Sequence, residues 1–383
     1  MVERAYFDWN AGAPLRDDAR TAMAEALGLI GNPSSIHYEG RAARRLVERA
    51  RELVARLVGA EPRNVIFASG ATEANMLALT PAVEVGGKKA LRDKLFVSAV
   101  EHPSVRRGGR FAAEDLQELP VDKDGTLDLS ALGQALSGSA RALVSVMLAN
   151  NETGVIQPIA EIVHAANGLL HVDAVQGPGR IDCNIENLGA DLMSLSSHKI
   201  GGPQGAGALI HRGDIRIADP LLKGGGQERG QRAGTENVAA LSGFGAAAAI
   251  AGRVEVTRLA TLRDRIEAGI KAIAPQAVIF GENVVRLPNT TLFAVPGMKA
   301  ETAIIAFDLN GIAVSSGSAC SSGKVQPSHV LAAMGVAPAL AQGAVRVSLG
   351  WSTTERDVEK LLDALTNVSS SLLKRHTISG LAA

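Results

Sequence analysis

The sequence predicts an α/β protein: a doubly wound layer of buried strands and covering helices, followed by a smaller α/β unit. Three observations carry this. Short runs that are apolar on successive positions alternate with segments of helical periodicity, as in strands buried on both faces. The pattern changes after an alanine-rich stretch at 239–251. At 383 residues the chain also exceeds the size at which one hydrophobic core stops growing. A domain boundary near 255 follows.

In chain order, "NVIFAS" (64–69), "KLFVSAV" (94–100), "ALVSVMLAN" (142–150), "LLHVDA" (169–174), "DLMSLS" (191–196) and "GAGALIHR" (205–212) read as buried strands. The clearest helix spans 41–58. Ala43, Leu46, Val47, Ala50, Leu53, Val54 and Leu57 recur at i, i+3, i+4, while Glu48/Arg51 and Glu52/Arg56 fall on faces expected to be exposed. Beyond the boundary come a helix at 256–273, strands near 277–281 and 290–296, a helix from 300, a strand at 344–349 and a final helix from 354.

Lysine plus arginine and aspartate plus glutamate each total 39, so the formal charge is zero. That removes the electrostatic footprint of a nucleic-acid binder and favours a small neutral or zwitterionic ligand. Two cysteines, Cys183 and Cys320, lie too far apart for a disulfide framework or a zinc knuckle. No run reaches the length of a membrane span and the start resembles no signal peptide. A soluble protein of the reducing cytoplasm is expected, with no metal, nucleic acid or membrane partner.

In open α/β sheets ligands bind beyond the carboxyl ends of the strands. Four exits carry polar residues. "SGATEAN" (69–75) places Thr72 at a helix start, where backbone N–H groups face an anion or simply meet an ordinary cap. "VEHPS" (100–104) puts His102 just past a strand. "HVDAVQ" (171–176) drives Asp173 out of an apolar strand, toward a cation or into a structural ion pair. "SLSSHKIGGPQG" (194–205) does the same with Lys199, whose amine desolvation would free for attack on a carbonyl. The glycines after it fit neither a dinucleotide fingerprint nor a phosphate-binding P-loop. An anion-binding helix start, an acid and a reactive lysine on strand exits together describe a site for pyridoxal phosphate.

Those motifs, with "NNETGVIQPI", "GGGQERGQRAGTENV", "SSGSACSSG" and "VRVSLG", resemble in order the cysteine desulfurases of the NifS/IscS type, class-V aminotransferase-like enzymes of fold type I. The resemblance covers nearly the whole chain. It implies a large domain at 15–255 around a mostly parallel seven-stranded sheet, and a small domain of 1–14 and 256–383 carrying a mobile cysteine loop near 313–326. It implies a homodimer using pyridoxal 5'-phosphate to convert L-cysteine to L-alanine. The sulfur is left as a persulfide for an acceptor or cluster-scaffold protein in iron–sulfur or other thio-cofactor synthesis. Selenocysteine lyase or aminotransferase chemistry on the same fold, or a non-catalytic sulfur relay, are the alternatives.

Residue by residue, the resemblance makes Lys199 the Schiff-base lysine and catalytic base, Asp173 the partner of the ring nitrogen, and His102 the imidazole stacked over the ring. Gln176 and Asn151 match groups that hydrogen-bond the ring oxygen, and Asn151 also borders the substrate. Thr72, its neighbour Ala71, Ser196 and His198 match the phosphate cradle, to which Thr235 is added from the neighbouring subunit. Arg346 matches the fork that clamps the substrate carboxylate, and Cys320 the sulfur acceptor. Two departures stand out: Gly12 and Ala13 replace threonines common in related sequences, and the tail "KRHTISGLAA" lacks the ending of scaffold-binding members.

Overall fold

The computed structural model describes residues 4–139, 141–165, 168–316 and 327–379, with 371–379 as backbone only. Seven strands form the central sheet in the order Val65–Ala68, Gly207–His211, Leu192–Ser196, Leu169–Asp173, Ala142–Met147, Lys94–Ser98 and Leu116–Leu119. All neighbours are parallel except Gly207–His211, which runs antiparallel to both of its partners. The inner strands are buried along their whole length, which is why they read as continuous apolar runs.

The helix expected at 41–58 spans Tyr38–Leu57. It starts earlier because the His37 side chain accepts a hydrogen bond from the Gly40 N–H. Its stripe of Val47, Ala50 and Val54 packs with Phe244 and Ala247 of the helix Val238–Ala251. A Cβ at Gly245 would fall 2.7 Å from Cα of Ala50, so the two helices approach this closely only through glycine. One expectation fails here. Arg51 is not on an exposed face but 3% exposed, because its guanidinium is drawn inward onto the carboxylate of Glu228, at 2.6 and 2.8 Å.

A hairpin, Ala82–Val85 with Lys88–Leu91, extends by Ile215–Ile217 into a three-stranded sheet. Past 255, the helices Val256–Ile273 and Glu355–Ser379 and the helix Ala300–Leu309 cover a four-stranded sheet of Val278–Ile279, Thr290–Ala294, Val345–Ser348 and Ser315–Ser316. The N-terminal strand Ala5–Tyr6 pairs parallel with Ile312–Ala313, so Ala5 and Phe7 share an apolar core with Leu259, Phe293, Phe307 and Val358. The expected loop from 313 therefore begins as strand: Ser315 and Ser316 pair with Arg346 and Val345. No single described helix is long and apolar enough to cross a membrane.

Candidate active site

Where the strands end, the central sheet opens into a cavity of ≈ 700 Å³. Gly207 begins its antiparallel strand at this edge, opposite Ala68 and Ser196. A Cβ on Gly207 would lie 2.6 Å from the backbone of Gly70, so only glycine lets the segment leading into the helix Ala71–Ala78 pass. That helix has Gly70 at its cap and no side chain bonded there. Its first-turn N–H groups stay free of side-chain acceptors, and Ala71 and Thr72 line the cavity beside Ser196 and His198.

Asp173 ends the strand Leu169–Asp173 and is 6% exposed. Its Oδ2 accepts from Asn75 Nδ2 at 2.9 Å and its Oδ1 from the Val175 N–H at 3.1 Å. Both partners are neutral, and no ion pair to Asp173 forms among the described residues. The carboxyl group thus lines the cavity with only neutral partners beside it. Asn75 also donates to Ser104 Oγ at 2.9 Å, which lies 2.8 Å from His102 Nδ1. That nitrogen also accepts the Ser104 N–H, so the neutral ring carries its proton on Nε2. Burial holds the His102 pKa below its ordinary value; Asp173 opposes this and Lys199 adds to it.

Lys199 follows Leu192–Ser196 through a single 3₁₀ turn, Ser197–Lys199. Its Nζ donates to the carbonyls of Asn10 at 2.5 Å and Ala11 at 3.0 Å. Burial, then the charges of Arg346 and Arg180, push its pKa down to about 7, against the pull of Asp8 and Asp173. Near neutrality a large share of the amine is therefore unprotonated and nucleophilic. Burial and Lys199 likewise push His198 down to about 4.

The opposite wall comes from the chain ends. Arg346, on Val345–Ser348, is 5% exposed. It donates through Nη1 to the Asn151 carbonyl at 2.9 Å and through Nη2 to Asp8 Oδ1 at 2.6 Å, while its buried Nε has no partner among the described residues. Behind Asn151, the buried Glu152 accepts from Ser328 Oγ at 2.6 Å, and burial pushes its pKa up to about 7.

The cavity thus brings together Lys199, His102, Asp173, Gln176, Asn151, Thr72, Ala71, Ser196, His198 and Arg346. Thr235 is not among its walls and is exposed. Its segment is fastened at Glu228, which with Arg229 adopts the left-handed backbone (φ 48° and 57°). Glu228 accepts from Arg51 and from the Phe67 N–H, contacts that offset strain of this kind. Cys320 and the segment 317–326 lie outside the described residues. Cys183 is buried, and burial pushes its thiol up to about 12. Sequence reasoning missed Asp8, Asn10, Asn75, Ser104 and Arg180. Only Asn75 carried a signal, being one helical turn beyond Thr72 on the same face.

A strand-edge cavity with this lysine and acid defines a class before it defines an enzyme. The model of the family described as aminotransferase class-V matches residues 5–361, and the chain belongs to that family. A cysteine desulfurase of Cereibacter sphaeroides is 41% identical over 380 residues, covering 97% of each chain. The cysteine desulfurase IscS of Dictyoglomus turgidum is 40% identical over 385 residues, covering 97% of this chain and 96% of its own. The crystal structure of a NifS-like protein from Rickettsia africae superposes with a TM-score of 0.86 at 36% identity, covering 96% of this chain and all of that one. The activity of this chain is accordingly that of a cysteine desulfurase of the NifS/IscS type, on the fold of the fold-type I pyridoxal phosphate enzymes.

Proposed function

We propose that the cavity holds pyridoxal 5'-phosphate and that the chain uses it to turn L-cysteine into L-alanine, passing the sulfur to Cys320. The observation that carries this reading is an amine near neutrality, Lys199, in one cavity with a buried carboxylate, Asp173, that has no cationic partner among the described residues. The donor set fits the cofactor: an anion cradle at Ala71, Thr72, Ser196 and His198, the acid for a protonated ring nitrogen, and the lysine for covalent attachment. When bound, the cofactor supplies a ring that stores the electron pair left at the substrate's α-carbon.

The chain's own groups do the rest. Arg346, which lines the cavity next to Asn151, holds the substrate carboxylate. Lys199, once released, takes the α-proton. His102 holds a transferable proton on Nε2 in the same cavity. The Cys320 thiolate attacks the substrate sulfur: the C–S bond breaks with its electrons staying on carbon, an S–S bond forms, and carbon takes a proton. L-cysteine and thiol become L-alanine and persulfide.

The same reading makes residues 1–14 and 256–383 a small domain carrying the segment around 313–326, supported by the core shared by Phe7 and the C-terminal helices. It makes the protein a homodimer of the cytoplasm in which Thr235 completes the phosphate cradle of the neighbouring subunit. The large apolar side chains exposed at Leu27, Leu29, Ile30, Ile36 and Tyr38 support a second copy. An acceptor or cluster-scaffold protein then removes the sulfur.

Mass spectrometry after L-cysteine without reductant tests this. One extra sulfur is expected on the Cys320 peptide and none on the Cys183 peptide, with alanine released. Cys320→Ser should still perturb the visible spectrum of the bound cofactor on adding L-cysteine, yet release almost no alanine, because a hydroxyl is a poor nucleophile toward sulfur. Sulfur on Cys183, or undiminished alanine from the variant, would overturn the assignment.

A further inference from the structure

Arg180 is 8% exposed and has no carboxylate partner among the described residues. A buried guanidinium without an anion is costly unless its hydrogens meet acceptors. Here both acceptors belong to one residue. Nη1 of Arg180 donates to the Gln176 carbonyl at 3.1 Å and also to Gln176 Oε1. The turn that brings it back is closed by the Arg180 N–H on the Gly177 carbonyl at 3.0 Å.

An arginine offers donors alone, so only the oxygen of the Gln176 amide can face it. On the other side of the amide, Nε2 lies 3.1 Å from the Asn10 carbonyl, which can only accept. Two neighbours from different parts of the chain therefore impose one orientation. Nε2 has two hydrogens; Asn10 takes one, and Gln176 lines the cavity. We infer that Arg180 is a positioning residue, fixing the Gln176 carboxamide so that the cavity meets an N–H donor and not a carbonyl oxygen. The group served is an anionic ring oxygen of the ligand. This rests on the reading of the cavity as the pyridoxal phosphate site.

The test titrates cofactor-stripped protein with pyridoxal 5'-phosphate, reading the dissociation constant and the pH midpoint of the visible band. Gln176→Leu and Arg180→Met should each weaken binding by about tenfold and move the midpoint. The double variant should be no worse than Gln176→Leu alone, because Arg180 acts through Gln176. Arg180→Lys, which keeps a donor for Oε1, should recover part of the loss. Gln176→Glu should pair well with Arg180 and melt no lower than the parent, yet bind as weakly as Gln176→Leu. Normal binding and midpoint in Arg180→Met, additive losses in the double variant, or tight binding by Gln176→Glu would each overturn the proposal. If Arg180→Met fails to fold, Gln176→Glu and Arg180→Lys decide. Parent protein that binds no pyridoxal phosphate would instead sink the cofactor reading.

Discussion

The two walls of the cavity are built on different terms. On the sheet side, Asp173, Asn75, Ser104 and His102 form one network that fixes orientations before any ligand arrives. On the side made by the chain ends, Arg346 spends two nitrogens on Asp8 and Asn151 and leaves Nε buried without a partner among the described residues. Leaving such a donor unsatisfied carries a cost. A fixed network suits a resident group, and a guanidinium that lines the cavity suits the carboxylate of a ligand that comes and goes. On the proposed reading, the cofactor rests on the first wall and the substrate carboxylate on the second.

The harshest test removes the link between them. Lys199→Ala should lower alanine formation at least ~1,000-fold with unchanged far-ultraviolet circular dichroism; normal turnover would erase the distinction between the walls. On the exchanging wall, Arg346→Gln should cut kcat/KM for L-cysteine roughly 100-fold, largely through KM. The variant should still take up cofactor with the parent's affinity. If cofactor affinity falls instead and KM holds, the walls have been assigned the wrong way round.

A smaller effect lies behind Arg346. Glu152 titrates near 7 in the folded chain, above the ordinary carboxylate range, because burial outweighs the Ser328 hydrogen bond and the Arg346 charge. The folded state thus binds its proton more tightly than the unfolded chain does. The resulting stability is fully present below about pH 4.5 and is lost as pH rises through 7, a span of roughly 3 kcal/mol. Glu152→Gln lacks this decline, so its advantage over the parent in urea melts should grow between pH 4.5 and 8. A difference independent of pH would show that Glu152 is not held protonated.

The buried strands announced themselves because both faces of each meet helices, leaving no polar alternation to blur them. The edges did not. Leu116–Leu119 exposes Gln117 and Glu118, and Lys88–Leu91 is exposed at three of four positions, so neither had an apolar run. The hairpin did leave a trace in its turn, Gly86–Gly87, both left-handed. At the site, Asp173 and Lys199 were legible because a charge ending an apolar strand is conspicuous. The pairing of Asp8 with Arg346 crosses 338 positions, and neither residue's neighbours in sequence hint at the other. Arg51 misled for a related reason: helical periodicity marks which face is polar, but not that a distant acid, Glu228, will pull one cation inside.

Cys183 has a consequence for anyone wishing to watch the enzyme at work. A thiol with a pKa pushed up to about 12 is ionised in about one molecule in ten thousand at pH 8, so it is nearly inert to maleimides and disulfide reagents while the fold holds. The chain has only one other cysteine. Any thiol that reacts quickly in the folded protein is therefore Cys320, and a second should appear only on unfolding. The native sequence is its own single-site labelling variant: a fluorophore added without mutagenesis reports on position 320 alone.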